Sequence, residues 1–92
     1  MTEAMALDHG GQGIRVNAVC PGDTDTPMEH EYAKNQGKSW DEYVRWATAG
    51  RPIARMASPD EVARGVLFLA SDESSFITGA ALPVDGGAVA GS

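Results

Sequence analysis

The residues best suited to chemistry lie in one run, Pro21-Gly22-Asp23-Thr24-Asp25-Thr26-Pro27-Met28, directly after the apolar segment 14–20. A Pro-Gly turn followed by two hydroxyls and a helix start offers backbone N–H groups and Thr oxygens to a polar ligand. In open parallel sheets, ligands sit outside the carboxyl ends of strands. The same residues also have a plainer use. Thr26 can simply cap the next helix, with Pro27 at its first position. Local physics leaves both readings open and leans towards the cap.

Other combinations offer less. Asp23 and Asp25 begin like a calcium loop, but Met28 stands where Gly is required and Lys34 where a bidentate Glu is required. Glu29, His30 and Glu31 are consecutive, so a helix splays them apart and they make a poor metal site. His30 and His9 read as solvated side chains. Cys20, the single cysteine, excludes an intramolecular disulfide and reads as a small buried hydrophobe. No Gly-x-Ser-x-Gly nucleophile elbow occurs. No metal ligand is expected.

The elements that must position the run follow from pattern. Residues 2–8 (TEAMALD) read as a helix, with Gly10 and Gly11 as flexible residues ending it. It starts abruptly at Met1 without an N-cap, which suggests an element cut from something longer. Residues 14–20 (IRVNAVC) alternate, carry β-branched side chains and stop at Pro21-Gly22, so they read as a strand. Ile14, Val16, Ala18 and Cys20 share one face and Val19 occupies the other, which predicts a parallel strand covered by helices on both sides. Residues 26–50 are polar and helical in two pieces, broken near Gly37. The second piece carries Trp40, Tyr43 and Trp46 as an aromatic stripe. Ser58-Pro59-Asp60-Glu61 combines an N-cap, a first-turn Pro and a capping box. The helix it opens runs over 59–71, with Val62, Val66, Leu69 and Ala70 on one stripe widened by Leu67 and Phe68. Residues 80–84 form a short apolar strand stopped by Asp85-Gly86-Gly87. Helix, strand, helices, strand is the order of an α/β domain.

Size and charge narrow the function classes. With 92 residues, one domain at most is expected, with a thin core. Hydrophobic residues are 42% and charged residues 22%, as in a soluble globular chain and unlike a disordered one. Thirteen acidic residues against seven basic ones give a net charge of −6, which repels a phosphate backbone, so nucleic-acid binding is not expected. The longest strongly apolar run, 66–70, is too short to cross a membrane. No basic region followed by an apolar stretch opens the chain, so a cytoplasmic protein is expected.

Several motifs occur together in order: Ile14-Arg15-Val16-Asn17-Ala18-Val19-Cys20-Pro21-Gly22 with Thr26-Pro27-Met28, then Arg51-Pro52-Ile53-Ala54-Arg55, Ser58-Pro59-Asp60-Glu61-Val62-Ala63, Phe68-Leu69-Ala70-Ser71-Asp72, Ile77-Thr78-Gly79 and Val84-Asp85-Gly86-Gly87. This series closely resembles the C-terminal portion of the short-chain dehydrogenases/reductases, over nearly the whole chain. Ala54 stands where that pattern often has Gly. The resemblance implies an α/β fold that is the C-terminal part of a Rossmann-like doubly wound parallel sheet, its last two strands with their flanking helices. It implies that 1–92 is a partial NAD(P)-binding domain in which 26–50 covers the substrate. Pro21, Gly22, Thr24 and Thr26 would then lie along the nicotinamide end of NAD or NADP. Met28, Trp40, Tyr43 and Trp46 would belong to the segment over a small alcohol or carbonyl, although helix packing explains any one of those rings equally well.

The same resemblance shows what these residues lack. The family's glycine-rich turn leaves a strand, whereas Gly11-Gln12-Gly13 precedes one and has no third glycine at the required spacing. The family transfers its proton through a Tyr with a Lys four residues on. Tyr32 has Gln36 at that spacing and Tyr43 has Ala47. No catalytic residue is therefore expected here, and the chain is expected to be a segment of an oxidoreductase, inactive alone. In the family, elements like 59–71 and 80–84 commonly join subunits, so a homo-oligomer is expected. The rival reading is a free-standing acidic interaction module that pairs with another chain through those same elements.

Overall fold

The computed structural model describes residues 1–90. Its elements are α1 (Thr2–His9), a 3-10 turn (Gly10–Gln12), β1 (Ala18–Pro21), α2 (Pro27–Asn35), α3 (Trp40–Ala47), α4 (Pro59–Ala70), a second 3-10 turn (Asp72–Ser74) and β2 (Ala81–Val84). The two strands pair in parallel, with Ala18 opposite Ala81 and Pro21 opposite Val84. Parallel neighbours need a long crossover, and α2, α3 and α4 lie within it. The architecture is the α/β one that the element order predicts.

Both strands are shorter than their apolar patterns. β1 begins at Ala18, not Ile14, and β2 at Ala81, not Ala80. Residues 14–17 do run beside 77–80, but side chains replace much of the backbone ladder. Val16 N donates to Thr78 Oγ1 at 3.0 Å. Asn17 Nδ2 donates to Ile77 O and its Oδ1 accepts from Ala80 N, both at 3.0 Å. Arg15 Nη1 donates to Ser74 O at 2.8 Å and to Ile77 O at 3.0 Å. Polar side chains thus satisfy backbone groups that regular strand pairing would otherwise use.

α4 lies against one face of the sheet, and Gly65 allows it to come close. A Cβ there would fall 3.0 Å from Val84 Cγ2, 3.8 Å from Leu82 Cδ2 and 3.9 Å from Val19 Cγ1. Pleating sends Cys20 to the other face, which no described helix covers. Cys20 is accordingly exposed instead of buried, and the two-sided coverage expected for this strand is not found among the described residues. The α4 stripe is likewise only partly used. Leu69 is buried and Val62 half-buried, whereas Val66 and Leu67 are exposed and Phe68 nearly as much.

The start of α4 matches its sequence signature. Ser58 Oγ accepts from Glu61 N at 3.2 Å, and Glu61 Oε1 accepts from Ser58 N at 2.9 Å. Arg55 adds two bonds of 2.8 Å to the Glu61 carboxylate. The Arg55 guanidinium, helped by the Ser58 N–H, holds the Glu61 carboxyl down at about 2. Ser58→Ala is expected to cost about 1 kcal/mol of stability, read from a denaturant melt, with ligand binding per folded molecule unchanged. A fall in binding at equal stability would mean Ser58 does more than cap.

α1 ends differently from its pattern. Gly10 stays right-handed at φ −57 and continues into the 3-10 turn. The left-handed residue is Gly13, at φ 77, the third glycine of that stretch. α2 and α3 break at Gly37, as expected, where φ is 73. α3 opens with a second capping box, Ser39 with Glu42. These two helices form an arm with its own packing centre of Ala33, Tyr43 and Met56, flanked by Trp40, Val44 and Ala47. The radius of gyration is 16.2 Å, against about 12 Å for a compact chain of this length. The buried cluster lies in the arm, and Leu69 of α4 is buried outside it.

Candidate functional site

The run 21–26 lies at the carboxyl end of the parallel sheet, built outward from β1. Gly22 N donates to Val84 O at 3.0 Å. A Cβ on Gly22 would fall 2.9 Å from the Asp85 backbone Cα, so a larger residue would force the strand ends apart. Beyond it, Ala57 N donates to Asp23 O at 2.9 Å and Asp25 N donates to Ala57 O at 2.8 Å. This one-residue parallel bridge of Thr24 with Ala57 ties the loop to the approach of α4. Pro21, Gly22, Thr24 and Thr26 therefore occupy one braced stretch.

The hydroxyls differ in what they leave free. Thr24 Oγ1 donates to Gly22 O at 3.0 Å, so its proton is spent and only its lone pairs remain. Thr26 caps α2, accepting from Glu29 N at 3.3 Å. The cap uses a lone pair, and the Thr26 hydroxyl proton has no acceptor among the described residues. Nor do the backbone N–H groups of Thr24 and Thr26 donate to a described residue. The cap and the ligand reading of Thr26 are thus compatible, since three donors stay available to a carboxamide or phosphate oxygen.

The aromatic stripe is present, with its members in unequal settings. Tyr43 is 5% exposed and donates to Glu29 Oε2 at 2.7 Å. Its ring lies 5.8 Å from Trp40, 6.0 Å from Trp46 and 5.8 Å from Tyr32. The bond to Glu29, then burial, then the charges of Glu29 and Asp23 push its phenol up to about 12. That phenol stays protonated throughout the neutral range. Trp46 is 62% exposed, with Lys38 Nζ 3.9 Å above its ring. Met28 stands 80% exposed at the head of α2.

His30 is solvated, as the sequence suggests, but it also has partners. Its side chain is only half exposed, with Nε2 2.6 Å from Asp25 Oδ1 and its ring stacked on Trp40 at 3.6 Å and 15°. A carboxylate only accepts, so Nε2 must carry the proton in that bond. His30 therefore links the loop to α3. Glu29, which holds Tyr43, and Arg51, whose Nη2 is 3.1 Å from Asp23 Oδ2, also went unrecognised as members of the site. Asp25 and His30 are five residues apart across a loop-to-helix junction, where neither helical nor strand periodicity applies. Beside the loop, a cleft of about 290 Å3 opens between Asp23, Arg51, Arg55 and Asp85. No cluster of three metal-binding side chains occurs among the described residues, and no described helix is long and apolar enough to cross a membrane.

Residues 1–89 match the family model described as enoyl-(acyl carrier protein) reductase. The chain is 46% identical over 90 residues to meso-2,3-butanediol dehydrogenase of Serratia marcescens, covering 98% of this chain and 33% of that protein. Among solved structures, a short chain dehydrogenase family protein from Francisella tularensis superposes with a TM-score of 0.86 at 45% identity, over 98% of this chain and 39% of its own. The ligand-free aldohexose dehydrogenase of Thermoplasma acidophilum gives a TM-score of 0.86 at 40% identity, over 97% and 36%. The chain spans about a third of the length of the curated relatives it matches.

Proposed function

This chain belongs to the short-chain dehydrogenase/reductase family, and from that premise we propose that it serves as the C-terminal segment of an NAD(P)-dependent oxidoreductase interconverting an alcohol and a carbonyl. The observation that carries this reading is the braced loop with its three uncommitted donors, at the carboxyl end of a parallel strand. Thr24 and Thr26 would hold the carboxamide and phosphate oxygens of the cofactor, while Pro21 and Gly22 shape the floor beneath the nicotinamide. The cofactor supplies the hydride acceptor or donor. The arm, residues 26–50, covers the substrate, with Met28 and Trp46 as the exposed candidates to touch it. Trp40 and Tyr43 support that cover from within. The exposed side chains Val66, Leu67 and Phe68 form an apolar stretch of α4 suited to meeting a second copy. In this reading, residues 59–71 and 80–84 join the copies.

The test grafts residues 1–90 in place of the corresponding third of the Serratia relative and measures NAD and NADP affinity by calorimetry. Thr26→Val keeps the shape but removes the hydroxyl. Affinity is expected to fall roughly tenfold, the worth of one hydrogen bond at about 1–1.5 kcal/mol. Unchanged affinity would leave Thr26 as a helix cap and nothing more. A folded chimera that binds neither nucleotide would overturn the reading itself.

A further inference from the structure

The geometry points to Arg51 as a positioning residue for the loop 21–26, acting through Asp23; this rests on the reading that the loop holds the nicotinamide end of the cofactor. Asp23 Oδ2 is shut off from solvent and receives no hydrogen bond. A carboxylate oxygen in that state is costly unless an opposite charge compensates it. Arg51 Nη2, 3.1 Å away, supplies that charge at an angle that makes it an ion contact and not a hydrogen bond. Arg55, the other guanidinium in the cleft, is committed to both oxygens of Glu61 and cannot stand in for it.

The placement of the pair explains why it would matter to the loop. Asp23 precedes Thr24, and its carbonyl accepts from Ala57 N, half of the bridge that fixes Thr24. On the other side, Gly22 is wedged against Asp85 and bonded to Val84. If Asp23 lost its cation, its carboxylate would have to turn towards water. With Gly22 held, the movement would fall on residues 23–25, where the amide of Thr24 is presented. An uncompensated carboxylate there would also repel an anionic dinucleotide. Arg51 itself is held by a bond from its N–H to Thr48 O, in the turn where α3 ends and Gly50 takes φ 77. The exit of the arm is thereby tied to the loop it covers.

The first measurement needs no cofactor: amide hydrogen exchange by NMR on the 92-residue chain. Arg51→Met is expected to speed exchange of the Asp25 and Ala57 amides about tenfold, between the values for exposed and buried pairs, with Leu69 in α4 unaffected. Arg51→Lys keeps the charge and should retain most of the protection. In an Asp23→Asn background, Arg51→Met should add little, because no charge on the solvent-shielded oxygen then needs compensating. Protection equal to the parent in Arg51→Met, or an undiminished effect in the Asn background, would overturn the assignment. Uniform loss across α4 would likewise show a general stabilising role instead. The second measurement uses the chimera, where Arg51→Met should raise KM for NAD(P) more than it lowers kcat, with Lys restoring it. Loss of protection at Asp25 and Ala57, alongside a folded chimera that binds neither NAD nor NADP, would retain the clamp and remove the cofactor reading. The opposite pair of results would remove the clamp and retain the cofactor reading.

Discussion

Tyr43→Ala is expected to cost about 3–5 kcal/mol and to melt the α2–α3 arm ahead of the rest of the chain. Tyr43 is the one large aromatic side chain buried among the described residues, packed with Ala33 and Met56. Its hydroxyl bonds to Glu29 across the arm. Truncation leaves a cavity between two short helices of 9 and 8 residues, each too short to persist without tertiary packing. Met56 ties that packing to Ala57, which braces Thr24, so loss of the arm should also loosen the candidate site. The two tryptophans, Trp40 and Trp46, both lie in α3, so tryptophan fluorescence reports the arm while circular dichroism reports total helix. Separate transitions by the two probes are expected for Tyr43→Ala, and coincident ones for the parent. Coincident, unshifted transitions in the variant would show that Tyr43 is not the keystone of the arm.

Tyr43→Phe isolates the hydroxyl and should cost about 1 kcal/mol, one net hydrogen bond. The pH dependence has a definite sign. The folded phenol is raised from 10.0 to about 12, so the stability contributed by its protonated form is full below pH 10 and disappears as pH rises through 12. Tyr43→Phe should abolish that alkaline loss.

How much was legible in the sequence depended on whether the cause was local. The cap of α4 was readable because Ser58, Pro59 and Glu61 satisfy one another within a single turn. The parallel pairing of the two strands was readable because apolar runs separated by helices leave few other arrangements. The strand limits were not, because Arg15, Asn17 and Thr78 displace the ladder through contacts some sixty residues apart. Cys20 was misjudged because an apolar strand pattern marks two faces but does not say which described element covers each. His30 is solvated as its setting suggests, but its partners, Asp25 and Trp40, follow no helical or strand spacing and carried no signal. In the candidate site, residue type and position after a strand mark the run 21–28 as able to meet a polar ligand, while the assignment of Pro21, Gly22, Thr24 and Thr26 to a cofactor rests on the family resemblance. The charges that hold them, Asp23 with Arg51 and Asp25 with His30, carried no pattern.

No dehydrogenase or reductase turnover is expected from the 92-residue chain by itself, at any neutral pH. A phenol that relays a proton needs a neighbouring cation to lower its pKa, and neither tyrosine has a Lys four residues on. The buried one is shifted the other way, up to about 12, by its bond to Glu29. Proton transfer, commonly worth about 10²–10⁴-fold in rate, is therefore expected to go unassisted by either tyrosine. Binding faces a similar shortfall. The loop offers the Thr26 hydroxyl and two amides, at about 1 kcal/mol net for each hydrogen bond. Immobilising a dinucleotide costs at least about 4 kcal/mol, and among the described residues no glycine-rich turn leads from a strand into a helix to offset it at the pyrophosphate. The assay mixes the purified chain with NADH or NADPH and a panel of carbonyl compounds, following absorbance of the reduced nicotinamide. The chimera is the positive comparison, since it restores both missing parts around the same loop. Turnover by the chain that survives an orthogonal purification and disappears in Tyr32→Phe or Tyr43→Phe would show that one of these phenols does transfer the proton.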